Sequence, residues 1–458
     1  MMSGKDGSEV AISQNPATEE IIAEHRYETK DEAIKKIELL REKFLEWRKK
    51  PIEERCEVIR KIGEDLMRNK REYAELITSE MGKPISQAES EVEKCANTCY
   101  FFAQNAKKFL EPEYVKTEAD ESYVEFDPLG VILAIMPWNF PFWQVIRCAI
   151  PAIAAGNVVA LKHAPNTFLC SKKIQEIFSR YEDGILISIF LKEKDVRDII
   201  HLVQGVSLTG SVRAGEAVGE IAGKNIKPVV LELGGSDPFI VFEDADIEKA
   251  IETGVRARII NSGQSCIAAK RFIVHEKIYD EFVKGVKERI RKIKIGNPME
   301  NVDIGPIARR DLLENALRIV RETEKAGAKV EGGRRITEVG FFFSPAIIEG
   351  ADFSSPVFKE ETFAPIMPIF KFRTEEEAIE LANKTEFGLG AVIFTKNIQR
   401  AKEIAKFIEA GNVFINQMVR SDPRLPFGGV KKSGIGRELG RYGILEFVNI
   451  KSVSILYQ

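Results

Sequence analysis

Cysteine is scarce in this chain: six of 458 residues, at Cys56, Cys95, Cys99, Cys148, Cys170 and Cys266. None forms a CxxC pair, which excludes the usual zinc and thioredoxin-like spacings and fits reduced thiols in a cytoplasmic protein. Histidine is scarcer still, and His25, His163, His201 and His275 are dispersed without any ligand pattern. Cys95 and Cys99, one helical turn apart, read as filling a helix face, so no metal is expected. A basic excess is lacking too, with 67 Lys and Arg against 70 Asp and Glu and a net charge of -3; a nucleic-acid binder is usually clearly basic. No apolar run reaches the length of a membrane span. The opening MMSGKDGSEVAIS carries acidic residues and no apolar signal region. The expectation is a cytoplasmic globular protein with neither nucleic acid nor membrane among its partners.

What is present is a long chain with 44% apolar and 30% charged residues, enough for two or three domains. From Lys30 to about Leu110 apolar positions recur every three or four residues, as in DEAIKKIELLREKFLEWRKK, which predicts amphipathic helices. ESYVEFDPLGVILAIMP reads as strands broken by a turn at Asp127 to Gly130. Strand and helix then alternate: NVVALK is a short buried strand, KDVRDIIHLVQG a helix running toward VSLTG, PVVLELGG and PFIVFEDA two more strands. KRFIVH, the helix YDEFVKGVKERIRKI, FAPIMPIFKF and AVIFTK continue the style, and the tail LEFVNIKSVSILYQ alternates like an edge strand. Strands separated by helices imply parallel βαβ units and the α/β class. No internal repeat or low-complexity linker interrupts the chain.

Five stretches stand at ends or turns of these strands, where ligands of open α/β sheets gather. In MPWNFPFW, the Asn139 amide is able to donate to an oxyanion. In LKHAPN, Lys162 closes a buried strand, and its ammonium either meets ribose or phosphate oxygens or snorkels to solvent. VSLTGSVRAGEAVGE gives a strand, a turn at Gly210 and Ser211, and a helix start whose amides suit a pyrophosphate; it is neither GxGxxG nor a P-loop. In LELGG, Glu232 is a carboxylate in an apolar run, either salt-bridged or raised in pKa and suited to general-base work. Finally, NSGQSCIAAKR places Cys266 three residues after Gly263, which permits close backbone approach.

PWNFP, TGS with a following Gly, LELGG, GQSC, EETFAP and PFGGVKKSGIGRE occur in the order and rough spacing of the aldehyde dehydrogenase superfamily, and the chain resembles that family along nearly its whole length. The resemblance implies a Rossmann-like cofactor domain (1–117 and 131–232), a catalytic α/β domain (233–430), and a small β oligomerisation flap with tail (118–130 and 431–458). It implies a homodimer or homotetramer. Cys266 resembles the nucleophile that attacks the aldehyde, Asn139 and the Cys266 backbone amide the oxyanion hole, and Glu232 the base that activates water on the thioester. Lys162 and Glu361 match ribose-contacting residues, Trp138 and Phe363 flank the nicotinamide side, and Gly210 and Ser211 match the pyrophosphate contact. The implied cofactor is NAD or NADP.

Departures from the pattern are equally informative. Ala364 stands where the family's E-x-F-G-P has glycine, and YEDGILISIFLKEKD replaces the usual GLPxGVxNVV. Pro165 occupies a position that commonly holds Glu in NAD-preferring members, so both cofactors stay open. LKHAPN, LTGSVRAG, LELGGSDPFIV and GGVKKSGIGREL look most like short bacterial succinate-semialdehyde dehydrogenases. In that group an arginine at the Arg147 position, eight residues after Asn139, and a serine at the Ser421 position bind the substrate carboxylate. A further arginine of the group is replaced by Ile260, leaving Arg258, Arg420 or Arg424 as substitutes. Another aliphatic or hydroxy-aldehyde is the alternative substrate. A CoA-acylating enzyme would not need Glu232, and a silent NAD-binding structural protein would tolerate loss of Asn139, Glu232 or Cys266.

Overall fold

Two largely parallel sheets carry the alternation of strand and helix seen in the sequence. The computed structural model describes residues 9–458; residues 1–8, which open the stretch read above for a signal region, lie outside the described residues. In the first sheet the parallel strands Val131–Met136, Val158–His163, Leu186–Ser188, Gly205–Thr209 and Val229–Glu232 lie in the spatial order third, second, first, fourth, fifth. In this doubly wound order the chain reverses direction of travel between the first and fourth strands, which opens a crevice above their carboxyl ends. Val158–His163 is buried throughout, because helices cover both faces, and this is why it reads as a continuous apolar run.

The second sheet contains, in spatial order, Lys329–Gly332, Ala346–Glu349, Ile366–Phe372, Ala269–His275, Asp237–Val241, Gly390–Phe394 and Asn412–Ile415. All pair in parallel except the outermost Lys329–Gly332, which runs antiparallel to its neighbour. A separate antiparallel ribbon joins Glu113–Tyr114, Glu121–Pro128 and Val448–Ile455. The chain is an α/β protein, as the alternation of strand and helix in its sequence implied.

The amphipathic region forms the helices Lys30–Trp47, Ile52–Arg68, Lys70–Met81 and Ile85–Phe109. The first begins at a capping box in which Thr29 and Glu32 satisfy each other's backbone amides, and it buries Ala33, Ile37, Leu40 and Trp47 on one face. The helix Trp143–Ala155 differs: every one of its residues is buried, so it runs through the core and presents side chains inward on all sides. It ends at Gly156, whose φ of 105° suits a residue without Cβ.

One sequence expectation is corrected. KDVRDIIHLVQG forms two 3-10 turns, Glu193–Asp198 and Ile200–Leu202, in place of an α-helix. Within the stretch grouped as flap and tail, Val430–Lys431 and Gly434–Ile435 pair outside the ribbon. Gly434–Ile435 pairs with Leu231 and Glu232 at the edge of the first sheet, and this returns the GIGRE motif to the core. The flap ribbon also gains the strand Glu113–Tyr114, which precedes residue 118.

Candidate active site

Four of the expected groups emerge from carboxyl ends of the first sheet. Asn139 follows Val131–Met136, Lys162 lies one residue from the end of Val158–His163, Gly210 and Ser211 follow Gly205–Thr209, and Glu232 ends Val229–Glu232. Cys266 comes from the second sheet with the opposite polarity, ahead of Ala269–His275 at that strand's amino end.

The turn that delivers Cys266 is strained. Asn261, Ser262 and Gly263 have φ of 52°, 55° and 78°, and a non-glycine residue held there costs on the order of 1–3 kcal/mol. Hydrogen bonds hold it in place. The Asn261 amide N–H donates to Gln87 Oε1 at 2.7 Å, Ser262 Oγ donates to Gly305 O at 3.0 Å, and the Ala308 N–H donates to Gln264 Oε1 at 2.8 Å. Gly263 is required by space as well as by φ, since a Cβ there would stand 2.4 Å from the carbonyl carbon of Ala364. The close approach is thus to the Glu361–Ala364 segment.

Asn139 is clamped to the same turn. Its Nδ2 donates to Gln264 O at 3.1 Å, and its main-chain carbonyl accepts from Asn261 Nδ2 at 2.7 Å. One bond of the side-chain amide is therefore used for orientation, and its other N–H makes no hydrogen bond. This arrangement ties the Asn139 amide to the main chain two residues before Cys266, and an oriented amide donor is what an oxyanion site requires.

Cys266 is half-buried, and its thiol is pushed up to about 12 by burial, with the Glu361 and Glu232 carboxylates adding to the rise and Lys270 and Arg147 opposing it. Lys270 also pins the loop, donating to Ser265 O at 2.9 Å and Cys266 O at 2.5 Å and ion-pairing with Glu361 at 3.3 Å. Glu232 is 2% exposed, and neither carboxyl oxygen makes a hydrogen bond. Burial raises its pKa well above the usual carboxylate range, Arg147 pulls it back, and Glu438 raises it further. Burial thus favours the neutral form of Glu232 and the Arg147 guanidinium the ionised one.

Arg147 sits between the two acids. Its Nε ion-pairs with Glu438, its Nη2 lies 4.0 Å from Glu232 Oε2 and donates to Thr209 Oγ1 at 3.2 Å, and its guanidinium covers the Phe427 ring at 4.9 Å. This guanidinium thus already faces two carboxyl groups. Of the three suggested substitutes, Arg258 is fully buried and donates to the carbonyls of Ala269, Gly263, Thr362 and Ala364, which makes it a structural clasp. Arg424 binds Asp422 through both ends of its fork, and Arg420 is exposed. Ser421 is buried, and its hydroxyl accepts a hydrogen bond from Lys94 Nζ at 2.6 Å. Sequence reasoning missed Lys94, Lys270 and Glu438. Glu438 had a signal, because it lies within the GIGRE motif; Lys94 had none beyond a basic residue on a helix.

The cofactor side is built from the same sheet. Lys162 is 5% exposed and makes no hydrogen bond or ion pair among the described residues; burial lowers its pKa. An unpartnered ammonium of this kind fits the oxygens of a ribose or its phosphate. Ser211 caps the helix Val212–Lys224, its Oγ accepting from the Ala214 N–H, and the first-turn amides face outward without partners in the helix. Glu361 accepts from the Gly235 N–H at 3.0 Å, and Trp138 meets Phe363 edge-on at 5.8 Å. The residues present fit a dinucleotide.

A doubly wound sheet whose strand ends face a strained thiol loop, an aimed amide and a buried carboxyl without hydrogen bonds defines a thiol-dependent oxidoreductase of the dinucleotide-binding type. The model of the aldehyde dehydrogenase family matches residues 3–453, and the chain belongs to that family. It is similar to a probable NADP-dependent succinate-semialdehyde dehydrogenase from Synechocystis, 44% identical over 447 residues, covering 96% of this chain and 98% of the relative. It is also similar to the NAD(P)-dependent succinate semialdehyde dehydrogenase Sad from Escherichia coli, 42% identical with 97% of each chain covered. Among solved structures, succinic semialdehyde dehydrogenase from Streptococcus pyogenes in complex with NADP+ superposes with a TM-score of 0.95 at 35% identity, covering 98% of this chain and all of that one (100%).

Proposed function

We propose that this enzyme oxidises succinate semialdehyde to succinate through a Cys266 thioester, using NADP or NAD. The observation that carries this reading is the convergence of Cys266, the oriented Asn139 amide and Glu232 beside the cationic Arg147 and Ser421 region; the activities named for the relatives point the same way. In this scheme the Cys266 sulfur bonds to the aldehyde carbon, and its proton leaves. The Asn139 Nδ2–H and the Cys266 main-chain N–H hold the oxyanion that forms. When bound, a nicotinamide ring supplies the hydride acceptor that converts the adduct to a thioester. Lys162, Glu361, Phe363, Trp138, Gly210 and Ser211 hold and orient that cofactor. Glu232 then takes a proton from the water that attacks the thioester, releasing acid and thiol. Steady-state kinetics over a panel of aldehydes with both cofactors test the reading. Its signature is a kcat/KM for succinate semialdehyde well above that for butanal, and equal values would overturn it.

Arg147 is proposed to serve the substrate end by holding the Glu232–Glu438 pair and contributing positive field. Removing one member of a buried ion pair strands the other, at roughly 3–5 kcal/mol. Arg147→Ala should therefore lower the urea midpoint strongly and depress turnover of charged and uncharged aldehydes together. A midpoint equal to that of the wild type would show that Glu438 relaxes to another partner.

Pro165 opens the 3-10 turn Pro165–Thr167, directly after the strand that carries Lys162. Pro165→Glu should weaken NADP more than NAD, because a carboxylate at about 4 Å from a 2′-phosphate costs roughly 1–4 kcal/mol between dielectric constants of 80 and 20. Titration of both reduced cofactors by fluorescence measures this, and equal weakening would place Pro165 away from the 2′ position.

We assign the protein to the cytoplasm on the strength of its free thiols and reactive Cys266. We assign it a homodimeric or homotetrameric state on the strength of the flap ribbon, where Tyr114, Ile450 and Tyr457 are 72%, 61% and 68% exposed. Large side chains exposed on a ribbon that packs on no other sheet among the described residues suit burial against a second copy. Among the described residues no helix is long and apolar enough to cross a membrane.

A further inference from the structure

The far carboxylate of a semialdehyde needs a cation whose charge is not already matched, and Arg147 does not meet that condition. The acids of this region are already engaged. Glu91 ion-pairs with Lys83 and also accepts the main-chain N–H groups of Phe142 and Trp143, each at 3.0 Å. Asp422 binds Arg424, and Glu438 binds Arg147. Lys94 remains. It forms no ion pair among the described residues; its ammonium donates to Ser421 Oγ at 2.6 Å and lies over the Trp143 ring at 3.9 Å from the centroid. The aromatic face orients the ammonium without neutralising it.

We propose that Lys94, with the Ser421 hydroxyl beside it, receives the distal carboxylate of the substrate and sets selectivity for an acid-bearing aldehyde. The inference rests on the succinate-semialdehyde reading above and names the cation that the sequence left unassigned. Trp143 and Arg147 are one turn apart on the same helix face, and the charge of Arg147 acts on both Lys94 and the Cys266 thiol. A chain of contacts thus links Lys94 to the catalytic groups: its ammonium lies over Trp143, Arg147 follows one turn later on the same helix, and the Arg147 guanidinium stands 4.0 Å from Glu232 Oε2. Burial and the neighbouring Arg147 bring Lys94 down to about 7, against the opposing pull of Cys95, Glu91 and Asp422. An arriving carboxylate supplies the missing counter-charge, so binding of the acid and protonation of Lys94 reinforce each other.

The test compares succinate semialdehyde with butanal in wild type, Lys94→Met and Lys94→Arg. Methionine keeps an unbranched stem against Trp143 and removes the charge. Lys94→Met should lose about 10- to 100-fold more kcat/KM for succinate semialdehyde than for butanal, mostly in KM, the range expected for a hydrogen bond to a charged group. Lys94→Arg should recover most of that selectivity. Equal losses for the two aldehydes, or unchanged selectivity, would overturn the role of Lys94 while leaving the substrate reading intact. A wild type without preference for succinate semialdehyde would overturn that reading, and the inference with it. A measurement on the wild type alone covers the case of a poorly folded variant. Inhibition by succinate should weaken as pH rises from about 6 to about 9, as Lys94 loses its proton, whereas inhibition by butyramide stays flat. Arg147, Glu91, Cys95 and Asp422 are the other charged or titratable groups facing Lys94. Of these, Glu91, Asp422 and Arg147 are held by ion pairs, so a flat succinate profile would count against Lys94.

Discussion

Cys266→Ala should lower aldehyde oxidation by about 10^4-fold or more, the scale on which removing a covalent nucleophile acts, while the fold and cofactor binding persist. The side chain is half-buried and holds no part of the turn: the hydrogen bonds that stabilise the left-handed residues belong to Asn261, Ser262 and Gln264, and Lys270 grips main-chain carbonyls that an alanine retains. The same geometry predicts an unusual reactivity for the resting thiol. With a pKa of about 12, roughly one molecule in 10^5 carries a thiolate at pH 7. Alkylation of Cys266 by iodoacetamide in the cofactor-free enzyme should therefore be slow at neutral pH and rise about tenfold per pH unit up to about pH 10. The sign follows from the shift: a raised thiol pKa leaves the reactive form scarce until the solution becomes alkaline. Near-wild-type turnover in the alanine variant would remove Cys266 from the chemistry.

Much of this site was legible in the sequence because its residues fall at strand ends, and strand ends are written in short apolar runs broken by glycine or proline. PWNFP, TGS and LELGG each mark the carboxyl end of a strand in one sheet, and the doubly wound order then brings Asn139, Ser211 and Glu232 together. The grouping of Cys266 with Asn139 depended on a long-range contact, Asn139 Nδ2 to Gln264 O across 125 positions, which no local pattern encodes; the family resemblance supplied it. What stayed hidden was charge compensation. The partners of Arg147 gave no local sign, because Glu438 and Glu232 lie 291 and 85 positions away by number, as differences from 147. Glu438 was itself grouped with the tail, since a two-residue edge strand such as Gly434–Ile435 has no periodicity to betray it. Lys94 is the same case in reverse. On a helix of mixed polarity a lysine reads as solvated, and only the packing of Trp143 and Ser421 around it shows otherwise. KDVRDIIHLVQG has apolar spacing that suits a helix, and its exchange for two 3-10 turns is not marked by any local pattern.

Glu232→Gln should slow hydrolysis of the thioester by about 10^2- to 10^4-fold, the range for loss of a positioned general base, while the first half-reaction proceeds. Reduced cofactor would then appear as a pre-steady-state burst of about one equivalent per active site, followed by a slow phase, and mass spectrometry of the stalled enzyme would find the acyl group on Cys266. Glutamine preserves shape and the Arg147 contact region, so the effect isolates proton transfer. The pH dependence of the wild type carries the complementary sign. Burial and Glu438 raise Glu232, and Arg147 restrains the rise. The proton-holding form must lose its proton before it accepts one from water, so the acid limb of kcat lies above the ordinary carboxylate range, and turnover climbs as pH rises through it. Because the resting site shares one guanidinium between two buried acids, the limb reports the Glu232–Glu438 pair as a unit, and Glu438→Gln should move it to lower pH by removing the negative neighbour. If Glu232→Gln turned over at the wild-type rate without a burst, the water would be activated by another group, and the buried carboxyl would be a structural feature of the strand end.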